Sequence, residues 1–435
     1  MMGINIDNKD RSMLNRTVLV IAYYFPPMGL SGVQRIVKFI KYLPEYGWKP
    51  IILTETPSSF YAFDETLFKD LENPEISVFR TPPKKGNSEE QKPKTVKLPS
   101  YFIQTLGKNF LQTIYQPDSK AKWLKRALAL GSNILKKHKV DVILATAPPY
   151  TDFLVAKELS KKFNIPYIID YRDPWVDNPF NFYATPFHKS HAIKLEREVL
   201  THTEKAIVVS RHIKELLVKR YGFLSHNDVM IIPHGYDPDD FEDFRNVKPN
   251  TAKFTITHAG VFQDNRTPKY FFQALSDFLK RKPEAAPCLE ARFVGIMRKS
   301  HQKMNKKYGL TENTICTGYV SHHENIKHLL ESDVLWFMLK DLARSPGKLY
   351  EYFGAAKPIL ASVPDGVMRK LALDTKAAIA TAPEDVYAIG QAIETFYNLW
   401  KNNNLPKPKE DYIEQFNRRK LAGDLAKELE LAAEL

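Results

Sequence analysis

Short runs of β-branched and aromatic residues alternate with longer stretches whose apolar positions recur every three to four residues. This alternation, the signature of parallel strands flanked by helices, occurs twice along the chain. In the first half the predicted strands are 17–24, 50–54, 140–146, 166–171, 205–210 and 229–233; in the second they are 253–259, 289–295, 314–317, 334–339, 358–362 and 377–380. Helices are predicted between them, among others over 33–43, 151–163, 186–203, 269–281, 324–331 and 383–400.

The two sets predict two Rossmann-like α/β domains, over 1–238 and 239–403, joined by the polar, Pro-containing segment 237–250. A second crossing at 401–409 leads to a closing helix within 404–435 that is expected to pack back on the first domain. The 435 residues are too many for one core and suit two. The longest apolar run, 18–25, is far shorter than the roughly 18 to 20 residues that cross a bilayer. The first sixteen residues have no apolar core of a secretory signal and read as a disordered lead-in. Only Cys288 and Cys316 occur, without metal-like spacing, which points to a reducing, cytoplasmic setting.

Charge changes this picture in one place. The formal net charge is +13, and the stretch 84–139 carries thirteen Lys or Arg against Glu89, Glu90 and Asp118. The wider segment 56–139 is poor in strand signals and reads as an insertion, partly helical, whose basic part is 84–139. Its aromatic and aliphatic residues, among them Tyr101, Phe102, Phe110, Ile114 and Trp123, fit either a membrane interface or an inward-packed face under solvated lysines. Lys120, Lys122, Trp123, Lys125 and Arg126 are the candidate contacts to an anionic membrane surface or acceptor. No nucleic-acid motif accompanies the charge.

Candidate chemistry lies in loops that follow strands, where open α/β sheets bind ligands. In 345–360, Lys348 and Glu351 stand three residues apart and so project side by side from a helix expected to start near Pro346. A cation and a helix start suit phosphate, and the carboxylate suits hydroxyls, a pairing that describes a nucleotide-sugar diphosphate; a solvated ion pair is the alternative. Gly29 and Gly32 allow a tight turn before a helix. Asp170, Arg172 and Asp173 crowd two carboxylates and a guanidinium at a strand end, fit for acid/base or charge-stabilising work or for a salt-bridge knot. Arg266, in the loop opened by Gly260, is placed to fork onto phosphate oxygens.

Segments 25–35, 208–217, 231–241, 317–320 and 346–359 together resemble the retaining glycosyltransferases of family 4, whose fold is GT-B, two Rossmann-like domains facing a cleft. The stretch Asp170-Tyr-Arg-Asp-Pro-Trp175 is similar to a subgroup met in bacterial surface-polysaccharide synthesis. The resemblance implies that Glu351 is the second glutamate of the E-x7-E element and binds the donor ribose. It also implies that Arg266 replaces a phosphate-binding Lys, that Gly29 and Gly32 face the donor phosphates, and that Gly260 and Val320 line the donor site. Three positions depart from the family: Ala343 stands at the first glutamate, Val261 at an arginine, and Arg172 at a frequent histidine. Lys348 is placed to supply the missing cation.

The implied reaction moves a sugar from a nucleotide-diphosphate donor to a glycan or polyprenyl-linked acceptor, with no cofactor and no metal, at the inner face of the cytoplasmic membrane. Asp170, Arg172 and Asp173 are the candidate catalytic residues. A nucleotide-sugar epimerase of the same architecture and a non-catalytic scaffold are the alternatives.

Overall fold

A computed structural model describes residues 16–29, 31–57, 64–83, 111–262 and 266–434. The segment 84–110, which holds six of the thirteen basic residues of that stretch, lies outside the described residues.

The first sheet contains β1 (Arg16–Ile21), β2 (Trp48–Glu55), β3 (Ser77–Thr81), β4 (Val142–Ala147), β5 (Tyr167–Tyr171), β6 (Lys205–Val208) and β7 (Val229–Ile231) in the order β3-β2-β1-β4-β5-β6-β7. The second contains β8 (Phe254–Ala259), β9 (Leu289–Val294), β10 (Thr314–Gly318), β11 (Val334–Met338), β12 (Ile359–Ser362) and β13 (Ala378–Thr381) in the order β10-β9-β8-β11-β12-β13. The strand pairs in both sheets are parallel. Each sheet is therefore a doubly wound α/β unit, and the chain has the two-sheet GT-B architecture.

Burial explains why these strands read as near-continuous apolar runs. Along β1, Leu19 and Ile21 enter one core while Val18 and Val20 enter the core on the opposite face. Around the second sheet, Phe254 and Ile256 of β8 pack on one face and Ala259 on the other. β3 is the strand that the polar reading of 56–139 passed over. It lies at the sheet edge, and of its residues only Thr81 is fully buried, so its apolar signal is short.

Helix Arg418–Ala433 returns to the first domain. Leu421, Leu425 and Leu429, spaced four apart, join Ile36, Ile40 and Trp48 in the core beneath the first sheet. The two crossings are also knit together: Tyr236 N–H donates to Phe416 O at 3.0 Å and Arg418 N–H donates to Tyr236 O at 2.9 Å. The segment that crosses first is anchored as well. Asp237 is buried, and Lys38 Nζ lies 2.7 Å from it and 2.8 Å from Asp70.

Candidate functional site

In each sheet the chain reverses winding beside its first strand, between β1 and β4 and between β8 and β11. The crevices at the carboxyl ends of those strands are where such sheets bind ligands. The loops leaving β1, β8 and β11 therefore set the site.

Gly260 follows β8 with φ +116°, a conformation that side-chain-bearing residues rarely adopt, and its N–H donates to Val294 O at 2.6 Å. A Cβ there would lie 2.0 Å from Lys348 Nζ. The glycine is thus the floor under an ammonium delivered from the other side of the switch point. Arg266, from the same loop as Gly260, is near enough for its charge to act on Lys348. Burial, then the neighbouring guanidinium, pushes the Lys348 ammonium down to about 7, and the opposing pull of Glu351 is smaller. Buried His258 beneath them is likewise held neutral, by desolvation first and then by the charges of Lys348 and Arg266. Gly260, Arg266, Lys348 and Glu351 are therefore brought together at one place.

The helix itself is shorter than expected. It begins at Lys348, two residues past Pro346, and ends at Gly354, so it is short, its dipole is slight and the cations carry the positive potential. Glu351, 13% exposed, has Asn325 Nδ2 at 3.5 Å and His322 Nδ1 at 4.0 Å.

On the facing domain, Gly29 approaches the loop after β10, where a Cβ would lie 2.5 Å from Tyr319 Oη. Val320, partly buried, follows in that loop. Gly32 lies against Arg172, whose guanidinium donates to the carbonyls of Gly32, Pro148 and, at 3.2 Å, Ala147. Arg172 is thus committed to holding two loops.

Asp170 is committed too. It is 2% exposed and receives Arg35 Nη2 at 2.8 Å and Thr146 Oγ1 at 2.8 Å, while Arg35 also donates to the carbonyls of Ile232 and Pro233. Such a saturated buried pair has no lone pair turned to substrate. Of the three residues expected to be catalytic, only Asp173 is part-exposed.

The empty first position of E-x7-E is also visible. Ala343 lines a cavity of about 20 Å³ with Ser210, His212, Asp341 and Arg344. Arg344 pairs with Asp341 at 2.6 Å and lies 4.1 Å over the Phe180 ring of the facing domain.

The basic stretch divides. Trp123 is 1% exposed, donates its Nε1–H to Thr81 Oγ1 at 3.1 Å and packs edge-on against Tyr23, so it belongs to the core and not to a membrane face. Arg126 is held by Glu55 at 2.6 Å and by Pro82 O at 2.7 Å. Lys120 lies 5.1 Å over the Tyr23 ring. Lys122 and Lys125 are exposed.

Among the described residues one carboxylate trio, Asp70, Asp237 and Asp240, has metal-binding spacing. Lys38 Nζ stands at its centre within ion-pair distance of all three.

Comparison with known proteins settles the family. The model described as Glycosyltransferase Family 4 matches residues 32–240, and that described as Glycosyl transferases group 1 matches residues 239–415. The chain belongs to glycosyltransferase family 4. Two matches that meet at the crossing segment cover all strands of both sheets of this family 4 enzyme except β1. No curated protein shows significant sequence similarity to it. Solved structures share its fold. A sucrose-phosphate synthase from Thermosynechococcus elongatus superposes with a TM-score of 0.64 at 13% identity, covering 96% of this chain and 100% of that one. A glycosyltransferase from Rickettsia africae ESF-5 gives 0.64 at 16% identity, covering 96% and 98%. Anabaena HepE, solved with UDP and glucose, gives 0.60 at 14% identity, covering 95% and 99%.

Two contributors escaped the sequence reading. His322 opens a helix whose Ser321 and Glu324 form a capping box, a start signal that precedes the predicted boundary at Glu324. Arg35 closes segment 25–35, but its partner Asp170 is 135 residues away.

Proposed function

We propose that this family 4 glycosyltransferase is a retaining enzyme that moves a sugar from a nucleotide-diphosphate donor to a glycan or polyprenyl-linked acceptor in cell-surface polysaccharide synthesis. The observation that carries the donor reading is the Lys348 ammonium, seated over Gly260 beside Arg266 with its proton affinity driven down to about 7. Two cations held against each other are relieved by an anion, and a diphosphate is the anion that spans both. Glu351, one helical turn from Lys348, is placed for the donor ribose. HepE was solved with UDP, which supports the same donor class.

In this reading the glycosidic bond to the diphosphate breaks as charge builds on the departing phosphate. Arg266 and Lys348 stabilise that charge. The acceptor hydroxyl attacks from the same face, its oxygen bonds to the anomeric carbon, and its proton passes to the departing phosphate oxygen. No metal or other cofactor takes part in this scheme. Asp170 and Arg172 act by holding the acceptor-side loops, and Asp173 faces the acceptor.

The test is transfer of sugar from a panel of UDP, GDP, ADP and dTDP sugars, followed by NMR with and without a polyprenyl-diphosphate glycan. Donor consumption is expected only with acceptor and is expected to fall at least about 100-fold in Arg266→Ala or Glu351→Ala. Acceptor-independent conversion of the donor would instead mark an epimerase.

The enzyme is proposed to work at an anionic membrane in the cytoplasm, and no described helix is long and apolar enough to cross one. The surface that supports docking differs from the expected set. Phe187 is 84% exposed, Ile114 53%, Phe182 41% and Leu111 40%. Gln112 donates Nε2–H to Asn181 Oδ1 and its Oε1 accepts from the Phe182 N–H, and His188 Nε2 lies 3.2 Å from Thr113 O; these contacts hold the residues in adjoining segments, with exposed Lys122 and Lys125 nearby in sequence. Phe187→Asp is expected to reduce sedimentation with phosphatidylglycerol vesicles several-fold while Trp123→Ala lowers thermal stability instead. Equal vesicle binding by wild type and Phe187→Asp would remove this surface from the account.

A further inference from the structure

Beside Glu351, His322 joins the two domains. His322 opens helix His322–Leu330 of the second domain. Its backbone N–H donates to Asp64 Oδ2 at 2.8 Å. Its Nδ1 lies 2.9 Å from the Gln34 amide nitrogen, and its Nε2 lies 2.9 Å from Asp240 Oδ2. Glu351 Oε1 is 4.0 Å from the same Nδ1, and the ring is only 9% exposed. Gln34 belongs to the helix that follows the glycine turn and Asp64 packs under Gly29, so both are first-domain groups; Asp240 belongs to the crossing segment. Gln34, Lys38, Asp240, His322, Glu351 and Arg418 line one small cavity of about 10 Å³.

These partners come from three parts of the chain, and the ring keeps all of them only while the domains are together. Separation withdraws Gln34 and Asp64 and leaves Asp240 as the ring's remaining close partner. Glu351 then loses the fixed neighbour on one side of its carboxylate and retains Asn325 on the other. We propose that His322 is a positioning residue that couples closure of the cleft to the orientation of Glu351. Closure sets the ring, and the ring with Asn325 sets the carboxylate before the nucleoside arrives, so less ordering accompanies binding. The charged groups facing the ring are Asp240, Glu351, Lys38 and Asp64. Desolvation is the largest influence and lowers the ring's proton affinity, but the charge and hydrogen bond of Asp240 together with the charge of Glu351 outweigh it and leave the pKa raised.

The inference rests on Glu351 as the ribose-binding carboxylate, and it implies a measurable long-range effect. Gln34 acts on nucleotide only through His322, so the two are energetically coupled. The test is calorimetric titration of the full-length enzyme with UDP, GDP, ADP and dTDP. The best binder is then titrated into Gln34→Ala, His322→Asn, the double variant, and Gln34→Ala in a Glu351→Gln background. Each single variant is expected to weaken binding about three- to thirty-fold. The double variant is expected to bind no more weakly than His322→Asn alone, and Gln34→Ala is expected to have no further effect once Glu351 is Gln. Wild-type binding that is unchanged in Gln34→Ala, or effects that simply multiply in the double variant, would overturn the coupling while leaving the donor site intact. Absence of binding by wild type to all four nucleotides would overturn the donor reading and the coupling together. Gln34→Ala removes one uncharged amide, so the test survives even where His322→Asn fails to fold.

Discussion

Lys348→Met is expected to lower kcat for sugar transfer by about 10²–10³-fold, the scale on which losing one preorganised charge-stabilising group acts. Methionine keeps the unbranched chain that fills the space over Gly260 and removes only the charge. Because burial and Arg266 hold the ammonium of the empty enzyme down to about 7, its removal is not expected to weaken the fold. The sign follows from linkage. The unfolded chain binds this proton up to the ordinary lysine value of 10.5 and the empty fold only to about 7, so the fold gains stability as pH rises across that interval. Melting temperatures across the same interval check it: the gain should be present in wild type and smaller in Lys348→Met. Donor binding reverses the relation, since the diphosphate restores the charge on Lys348. Affinity should therefore fall as pH rises above about 7, with a proton taken up on binding.

Asp170→Ala is expected to act on the fold before it acts on chemistry. Its carboxylate is a buried partner of Arg35 at 2.8 Å, and removing it strands a guanidinium that is 1% exposed. Breaking a buried pair from one side costs about 3–5 kcal/mol. Denaturant unfolding should show this loss in the transition of the first domain. Arg35 also donates to the carbonyls of Ile232 and Pro233, so the damage should extend to the end of β7 and the start of the crossing segment. Unchanged stability with abolished transfer would instead return Asp170 to the substrate.

What could be read along the chain followed from how local the signal is. β1, β4 and β11 are buried on both faces, and such strands are dense apolar runs that sequence alone exposes. β3, Ser-Val-Phe-Arg-Thr, is an edge strand with one fully buried residue and could not stand out from the polar segment around it. Lys348 and Glu351 were legible as neighbours because three residues on a helix bring them together. That Gly260 lies under Lys348 was not, since a tertiary approach between two loops leaves no periodic trace. The same limit applies to Trp123. An aromatic among lysines looks the same whether it faces lipid or Thr81, and only the fold chooses Thr81. The trio at 170–173 was correctly read as crowded charge, but the partner that decides its role is Arg35, on a helix far away in sequence.

The most direct test of the central claim, a diphosphate seated on Lys348 and Arg266, is calorimetric titration of the preferred nucleotide sugar at pH 8 in two buffers of different ionisation enthalpy. A diphosphate diester has no proton to exchange near neutrality, so proton uptake reports the protein. Uptake approaching one proton in wild type, absent in Lys348→Met, is the predicted result. Tight binding with no proton uptake, equally strong in Lys348→Met and Arg266→Ala, would contradict it.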